Sequence, residues 1–263
     1  VMGHSSPAGI VGAAGTYTEI EGCTNGASAV VMGTRWNKPF PSGIVAAARG
    51  KVMYCANYGT VLSGVWADEE AGTYTLRNGY YVSGIAGSTR SYEDKKYQRV
   101  SPTPEVVGCY NAGQVKAGND MRQRGIVGDN EGDVHNNLLL EDTVYNDRIA
   151  YGMYEGDDEA SGGSYANNYV ISADLLKSDA WFSFTSEDKY KVVADENGTM
   201  NALSVLNHAG DRTGWNTYWV NDKTQTNNGF PVLNTAVDWE LTPLTDATVT
   251  LEQNAAYTSL AGS

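Results

Sequence analysis

The chain has 263 residues, 41% of them hydrophobic, and it carries 18 Lys plus Arg against 31 Asp plus Glu, a net charge of -13. That is enough for one large domain or two ordinary ones around a core, and it argues against a nucleic-acid partner, whose phosphates need cationic side chains. No apolar run approaches the roughly 18 residues that span a bilayer, and the first residues lack a signal peptide's charged start and apolar stretch, so the chain reads as cytoplasmic or as a mature fragment of a longer protein.

Thirty Gly and 17 Tyr with only 4 Phe suit short strands joined by tight corners, so the expected class is all-β. From the N-terminus a repeat appears. Gly9-Ile10-Val11-Gly12 recurs as Gly43-Ile44-Val45-Ala46, Gly84-Ile85-Ala86-Gly87 and Gly125-Ile126-Val127-Gly128, at intervals of 34, 41 and 41 residues. A second motif follows the first three copies: Cys23-Thr24-Asn25-Gly26, Cys55-Ala56-Asn57-Tyr58-Gly59 and Cys109-Tyr110-Asn111-Ala112-Gly113. After the fourth, the matching place reads Asn136-Asn137-Leu138 and the pattern decays. An apolar pair between glycines is a short buried strand between bends, and Cys-x-Asn-x-Gly is a small buried side chain before a corner. Stacking such units predicts a parallel β-solenoid with Ile10, Ile44, Ile85 and Ile126 in one internal ladder and Cys23, Cys55 and Cys109 in another. The 54-residue gap between Cys55 and Cys109 leaves room for a turn of chain between those two. Three Cys is an odd count without C-x-x-C spacing, which favours reduced, buried thiols over a disulfide set or a zinc site.

The alternation of G-I-V-G with C-Y-N-x-G-x-V, clearest in residues 108–115, resembles the GLUG repeat of bacterial cell-surface proteins. These include adhesin-like proteins of gut bacteria and the non-catalytic part of some IgA-specific metallopeptidases. The likeness covers residues 9 to about 137. Trp219-Val220-Asn221-Asp222 and Asn228-Gly229-Phe230-Pro231-Val232-Leu233 are similar to the W-x-x-D…N-G-x-P-x-L segment that often closes such arrays. The resemblance implies an extracellular, bacterial-surface location.

Residues 29–42, 62–83 and 88–105 read as insertions. They carry Trp36, Trp66, Tyr80-Tyr81, Tyr92 and Tyr97, which fit either corner packing or a flat face for a glycan or protein. Segment 88–99 adds Arg90, Lys95, Lys96 and Arg99, a basic cluster that fits a solvated loop or an anionic ligand. Residues 129–159 hold ten acidic side chains and one Arg. This flank is either a solvated surface or a calcium site, with Asp129, Asp133, Glu155, Asp157 and Asp158 as the candidate ligands. Residues 173–184 suggest a short helix. Lys189–Val193 reads as a strand and Met200–Leu206 as a strand or short helix, with a hairpin turn at Asp195-Glu196-Asn197-Gly198 between them. Residues 138–234 form the acidic segment and the C-terminal part or cap of the stack, and 235–263 a linker and the start of a further immunoglobulin-like β module.

His4, His135 and His208 are the only histidines, none in H-E-x-x-H spacing, and no G-x-S-x-G elbow supports a Ser-His-Asp set. The expected function is a non-enzymatic, extracellular, adhesin-like stalk or binding module, part of a longer surface protein. Its partner would be a host glycan or extracellular protein, with no required cofactor, possible calcium aside, and no membrane insertion. The rival is a carbohydrate-active β-helix enzyme, a polysaccharide lyase or hydrolase, using Asp157 and Asp158 with Asp147 and Arg148. Carboxylates converging in a groove would favour the enzyme, and a groove of Tyr and Asn would favour binding.

Overall fold

A computed structural model describes residues 1–4, 6–34, 40–68, 73–77, 80–90, 93–94, 99–100, 102–154, 163–207 and 218–234. Among them strands dominate, and the α-helices are the short segments Ala173–Leu176 and Ala202–Asn207. The chain visits the same parallel ladders in the same order, row after row. The first ladder stacks Val11–Ala14, Val45–Ala48, Ala86–Thr89 and Val127–Asn130. The second stacks Glu19–Glu21, Lys51–Met53, Glu105–Val107, Asp133–His135 and Ser164–Ala166. The third stacks Thr24–Asn25, Ala56–Asn57, Tyr110–Asn111, Leu138–Leu140 and Tyr169–Ile171. A fourth joins Met2–Gly3, Val30–Gly33, Thr60–Ser63 and Val115–Ala117.

The register explains the two motifs. Side chains alternate across a strand, so every second residue faces inward. Ile44, Ile85 and Ile126 lie in consecutive rows and are fully buried, each stabilising the fold by roughly 1.5–3 kcal/mol. Inside the third ladder Asn25 Nδ2 donates to Asn57 Oδ1 and Asn57 Nδ2 to Asn111 Oδ1, both at 2.7 Å. A Cβ on Gly43 would fall 2.4 Å from Asn57 Oδ1, and one on Gly84 would fall 2.2 Å from Asn111 Oδ1. The glycine of one motif and the asparagine of the other therefore form a single packing unit across the interior, and only a residue without a side chain fits beneath the amide.

The structure corrects several sequence expectations. Ile10 is 45% exposed although its backbone joins the first ladder, because no row lies beyond it among the described residues. Cys55 and Cys109 are in adjacent rows, with Cys55 N–H donating to Cys109 Sγ at 3.4 Å and no turn of chain between them. Both are buried and Cys23 is half-buried. The pattern does not decay after the fourth copy. Asn137 and then Asn168 take the cysteine's place in register, with Asn137 Oδ1 accepting from Cys109 N–H at 2.9 Å and Asn168 Oδ1 from Asn137 N–H at 3.2 Å. Ile149, fully buried, extends the isoleucine ladder through the Val127–Ala150 bridge. Part of 29–42 is no insertion, since Val30–Gly33 belongs to the fourth ladder. Within 62–83 only Val65–Asp68 and Thr73–Leu76 pair outside the ladders among the described residues, as an antiparallel hairpin, whereas Leu62 and Ser63 stay in the fourth ladder and Val82–Ser83 pairs in parallel with Gln123–Arg124.

Residues 173–207 and 218–233 pack against the outward side of the second and third ladders. Met53, Val107, Tyr110, Leu138 and Tyr169 face out of the stack and form a second core with Leu176, Val205, Leu206 and Trp219. Ser172 caps the helix Ala173–Leu176, and Ala202–Asn207 is the second helix. The turn at 195–198 makes no hairpin between its two flanks. Val192–Ala194 pairs antiparallel with Phe182–Phe184, and Met200 bridges Phe182 from the other side. Trp219 donates from Nε1 to Gly108 O at 2.7 Å, and the hydroxyls of Tyr58 and Tyr110 both reach Pro231 O. The W-x-x-D…N-G-x-P segment thus clasps the C-terminal part onto the ladder strands. Burial opposes the Asp222 carboxylate. The amides of Asn227 and Gly229 and the hydroxyls of Thr226 and Thr224 nevertheless hold its pKa down at about 2.

Candidate ligand groove and aromatic flank

The last row begins with Ser164–Ala166, turns at Asn167, whose φ of 53° is a left-handed conformation that asparagine tolerates, and continues into Tyr169–Ile171. The loop after Phe182–Phe184 overhangs this row. Between them lies a groove of about 160 Å³ lined by Tyr165, Tyr169, Tyr190, Asn167, Asn168, Phe184 and Lys189, without a carboxylate. Drug-sized sites start at about 300 Å³, so this one has room for a single ring-sized group. Its rings are held in place. Tyr190 donates its hydroxyl to Met153 O at 3.0 Å, Tyr165 to Tyr151 O, and Tyr169 to Asn167 Oδ1 at 3.2 Å. Phe184 packs 5.3 Å from Tyr169 and stays 46% exposed, and Lys189 Nζ lies 4.8 Å over the Tyr190 ring. The groove therefore offers flat apolar faces, the exposed Asn167 amide and one cation, while the buried Asn168 amide is committed to Val134 O and Asn137.

A file of aromatics runs from this groove along the stack. Phe40 lies 5.1 Å from Tyr80, Tyr80 lies 4.8 Å from Tyr81, and Tyr81 lies 4.7 Å from Tyr151, whose carbonyl receives the Tyr165 hydroxyl. The rings cover small residues of the first ladder: a Cβ on Gly87 would meet the Phe40 backbone, and one on Gly128 would meet Tyr81 Cβ at 3.1 Å. The second glycine of the G-I-V-G motif makes room for them. Burial raises the Tyr81 pKa above its ordinary value, with the Tyr151 hydroxyl contributing.

Of the sequence-predicted residues, Arg90 and Asp129 meet each other, at 2.7 Å, which holds the guanidinium charged above its ordinary pKa. A proposed ligand cation and a proposed calcium ligand are thus partners. Asp133 lies in the second ladder and accepts from Ser164 Oγ at 2.5 Å. Trp66 is half exposed on the protruding hairpin with the Arg77 guanidinium 4.1 Å above its ring. The backbone of Arg99 pairs in the strand Arg99–Val100. Trp36, Tyr92, Lys95, Lys96, Tyr97, Glu155, Asp157, Asp158 and His208 lie outside the described residues. Among the described residues no group of three or more His, Cys, Asp or Glu is placed to hold a metal ion.

His135 Nε2–H donates to Glu105 Oε1 at 2.8 Å, and Lys51 Nζ reaches the other oxygen at 3.0 Å. The His135 hydrogen bond is the main cause of a Glu105 pKa of about 2, and Glu105 in turn raises His135. Asp147, cast in the enzyme reading, is half-buried with its pKa raised by burial, and its carboxylate accepts the Asp142 N–H at 2.7 Å. A second cleft, of about 360 Å³, carries Asp120 and Asp142, but Gln123 Nε2 already bonds Asp120 at 2.8 Å.

Sequence reasoning missed Tyr151, Tyr165, Asn168, Tyr169 and Tyr190. A signal existed: Asn136-Asn137-Leu138-Leu139-Leu140 repeats as Asn167-Asn168-Tyr169-Val170-Ile171, and Gly125-Ile126-Val127-Gly128 as Arg148-Ile149-Ala150-Tyr151. No protein-family model, curated protein or solved structure matches this chain.

Proposed function

We propose that this chain is a parallel β-solenoid serving as a stalk and carbohydrate-binding module of a bacterial cell-surface protein. The observation that carries the binding reading is the groove of Tyr165, Tyr169, Tyr190, Asn167 and Asn168, which has no acid in its lining. A tyrosine face takes the C–H side of a sugar ring, and side-chain amides bond its hydroxyls. Glycosidic hydrolysis needs two carboxyl groups across one bond, and this lining does not supply them. The in-register Ile, Cys/Asn and Asn ladders support the solenoid, and the likeness of residues 108–115 to the GLUG repeat supports the surface location. Among the described residues no helix is long and apolar enough to cross a membrane.

The test is a glycan array followed by titration of the best ligand into the wild type and Tyr190→Ala. Binding that weakens about tenfold in the variant, the ~1.4 kcal/mol of one aromatic contact, supports the groove. Binding indifferent to Tyr190, or turnover of the glycan, overturns it.

A further inference from the structure

The three thiols form a column of their own. Glu21 pairs with Met53 and Thr24 with Ala56, the same offset on both sides of the corner, so Cys23 stands in register with Cys55. Met53 pairs with Val107 and Ala56 with Tyr110, which sets Cys55 against Cys109 in the same way. The side chains repeat as well. Each thiol donates to the carbonyl two residues before it, Cys23 to Glu21 O at 3.4 Å, Cys55 to Met53 O at 3.2 Å and Cys109 to Val107 O at 3.3 Å. A shared orientation stacks the sulfurs one row apart. In-register strands lie about 4.8 Å apart, inside the roughly 4.4–6.8 Å between Cα atoms that a disulfide spans. The two neighbouring pairs differ in access and freedom. Cys55 and Cys109 are fully buried, and Cys109 is held on both sides, by Cys55 N–H at its sulfur and by Asn137 at its own N–H. Cys23 is half-buried and joins Glu19–Glu21 to Thr24–Asn25, the edge strands of the second and third ladders.

We propose that Cys23 and Cys55 are a redox modification site, at which a small-molecule disulfide of the glutathione class oxidises the two thiols to a bond that staples the first row to the second. Cys23 is the entry point, because the other two sulfurs are out of an oxidant's reach. Its thiolate attacks one sulfur of glutathione disulfide, breaks that S–S bond and releases one glutathione thiolate, which takes up a proton. The Cys55 thiolate then attacks Cys23 Sγ in the mixed disulfide and releases the second glutathione. Two protein thiols lose two electrons and two protons, and one disulfide becomes two thiols. The Cys55 thiol beside it, together with burial, raises the Cys23 thiol above its ordinary pKa. Little thiolate is therefore present while the row is closed, and exchange proceeds through openings of the edge row. Stacked Cβ atoms must close by a few tenths of an ångström to come within the ~4.5 Å that a disulfide allows. An edge row can make that shift, whereas Cys109 is fixed between its neighbours. The segment between the two sulfurs carries Val30–Gly33, Val45–Ala48 and Lys51–Met53, one strand from each of the other three ladders, so the bond closes a full turn of the stack into a covalent ring. The site lies at the end of the stack opposite the groove and stands independently of the carbohydrate reading.

The experiment incubates the whole reduced chain with glutathione disulfide and reads the intact mass and a non-reduced peptide map. The expected product is about 2 Da lighter than the reduced chain, carries a Cys23–Cys55 link and keeps Cys109 as a thiol that is alkylated only in denaturant. Cys55→Ser should stop at a glutathione adduct on Cys23, and Cys109→Ala should leave the link unchanged. The oxidised chain should melt about 5 °C or more above the reduced one, a shift that dithiothreitol reverses and that Cys23→Ser lacks. A lasting glutathione adduct on Cys23 in the wild type, a Cys55–Cys109 link, or three free thiols after the incubation overturns the proposal. A Cys23–Cys55 link that leaves the melt unchanged overturns its part as a staple.

Discussion

The two ends of the stack are built from the same motif and meet different surroundings. At the N-terminal end Ile10 occupies the place of Ile44, Ile85 and Ile126, yet it is 45% exposed where they are fully buried. Asn25 there donates to Asn57, and its own Oδ1 receives no hydrogen bond among the described residues, whereas each inner asparagine accepts from the row before it. At the C-terminal end Tyr169–Ile171 is followed by the Val170–Lys191 bridge and by the pair Phe182–Phe184 and Val192–Ala194, with Phe182 fully buried. A repeat position thus has no fixed energetic weight. Its contribution comes from the rows that the parallel pairing brings against it.

The largest test of this contrast is a matched pair of substitutions. Ile85→Asp buries a carboxylate with no partner and should cost more than about 4 kcal/mol, unfolding the adjoining rows. Ile10→Asp at the equivalent but exposed place should cost under about 1 kcal/mol. Thermal melts of the two that agree with each other would show that the row, and not its neighbours, sets the stability.

The asparagine ladder gives a smaller contrast. Asn57→Ala strands Asn25 Nδ2 and takes from Asn111 Oδ1 the shorter of its two hydrogen bonds, the other coming from Gly113 N–H, a loss of about 2–3 kcal/mol at 1–3 kcal/mol per buried unpaired group and about 1 kcal/mol per lost hydrogen bond. Asn25→Ala strands one partner and should lose about half as much, by urea titration.

pH should act on the inner rows. Glu105, held at about 2 against its ordinary 4.5, contributes stability above pH 4.5 that is lost as pH falls toward 2. His135, raised above its ordinary 6.5, contributes below pH 6.5 and loses that contribution as pH climbs through its folded value. The Glu105–His135 link should therefore be worth most, about 1 kcal/mol, between pH 4.5 and 6.5. The difference in melting temperature between wild type and His135→Gln should peak in that window and shrink on both sides.

The smallest effect is one of rate. Cys23, half-buried in the first row, should react with a thiol reagent before Cys55 and Cys109, and those two should stay unreactive without denaturant. All three reacting at one rate would erase the difference between the ends.

Composition and two short motifs made the strand-rich class, the parallel stacking partners and the buried positions of Ile44, Ile85, Ile126, Cys55 and Cys109 legible, though not the exposure of Ile10 and Cys23, because period-2 alternation and a glycine-bounded strand are local properties and the end of a stack is not. The likeness of Trp219-Val220-Asn221-Asp222 to the segment that closes GLUG arrays pointed to the terminal clasp, whose Trp219 and Asp222 are both buried. The fifth row escaped notice because its equivalents are chemically different. Asn168 stands where cysteine stood and Arg148 where glycine stood, and only register shows that an amide can continue a thiol's hydrogen bonds. The groove and its aromatic file were likewise invisible in one dimension. Phe40 and Tyr80, Tyr81 and Tyr151, and Tyr154 and Tyr190 are far apart in sequence and become neighbours only when rows stack at strand spacing, so their proximity was decided by tertiary structure.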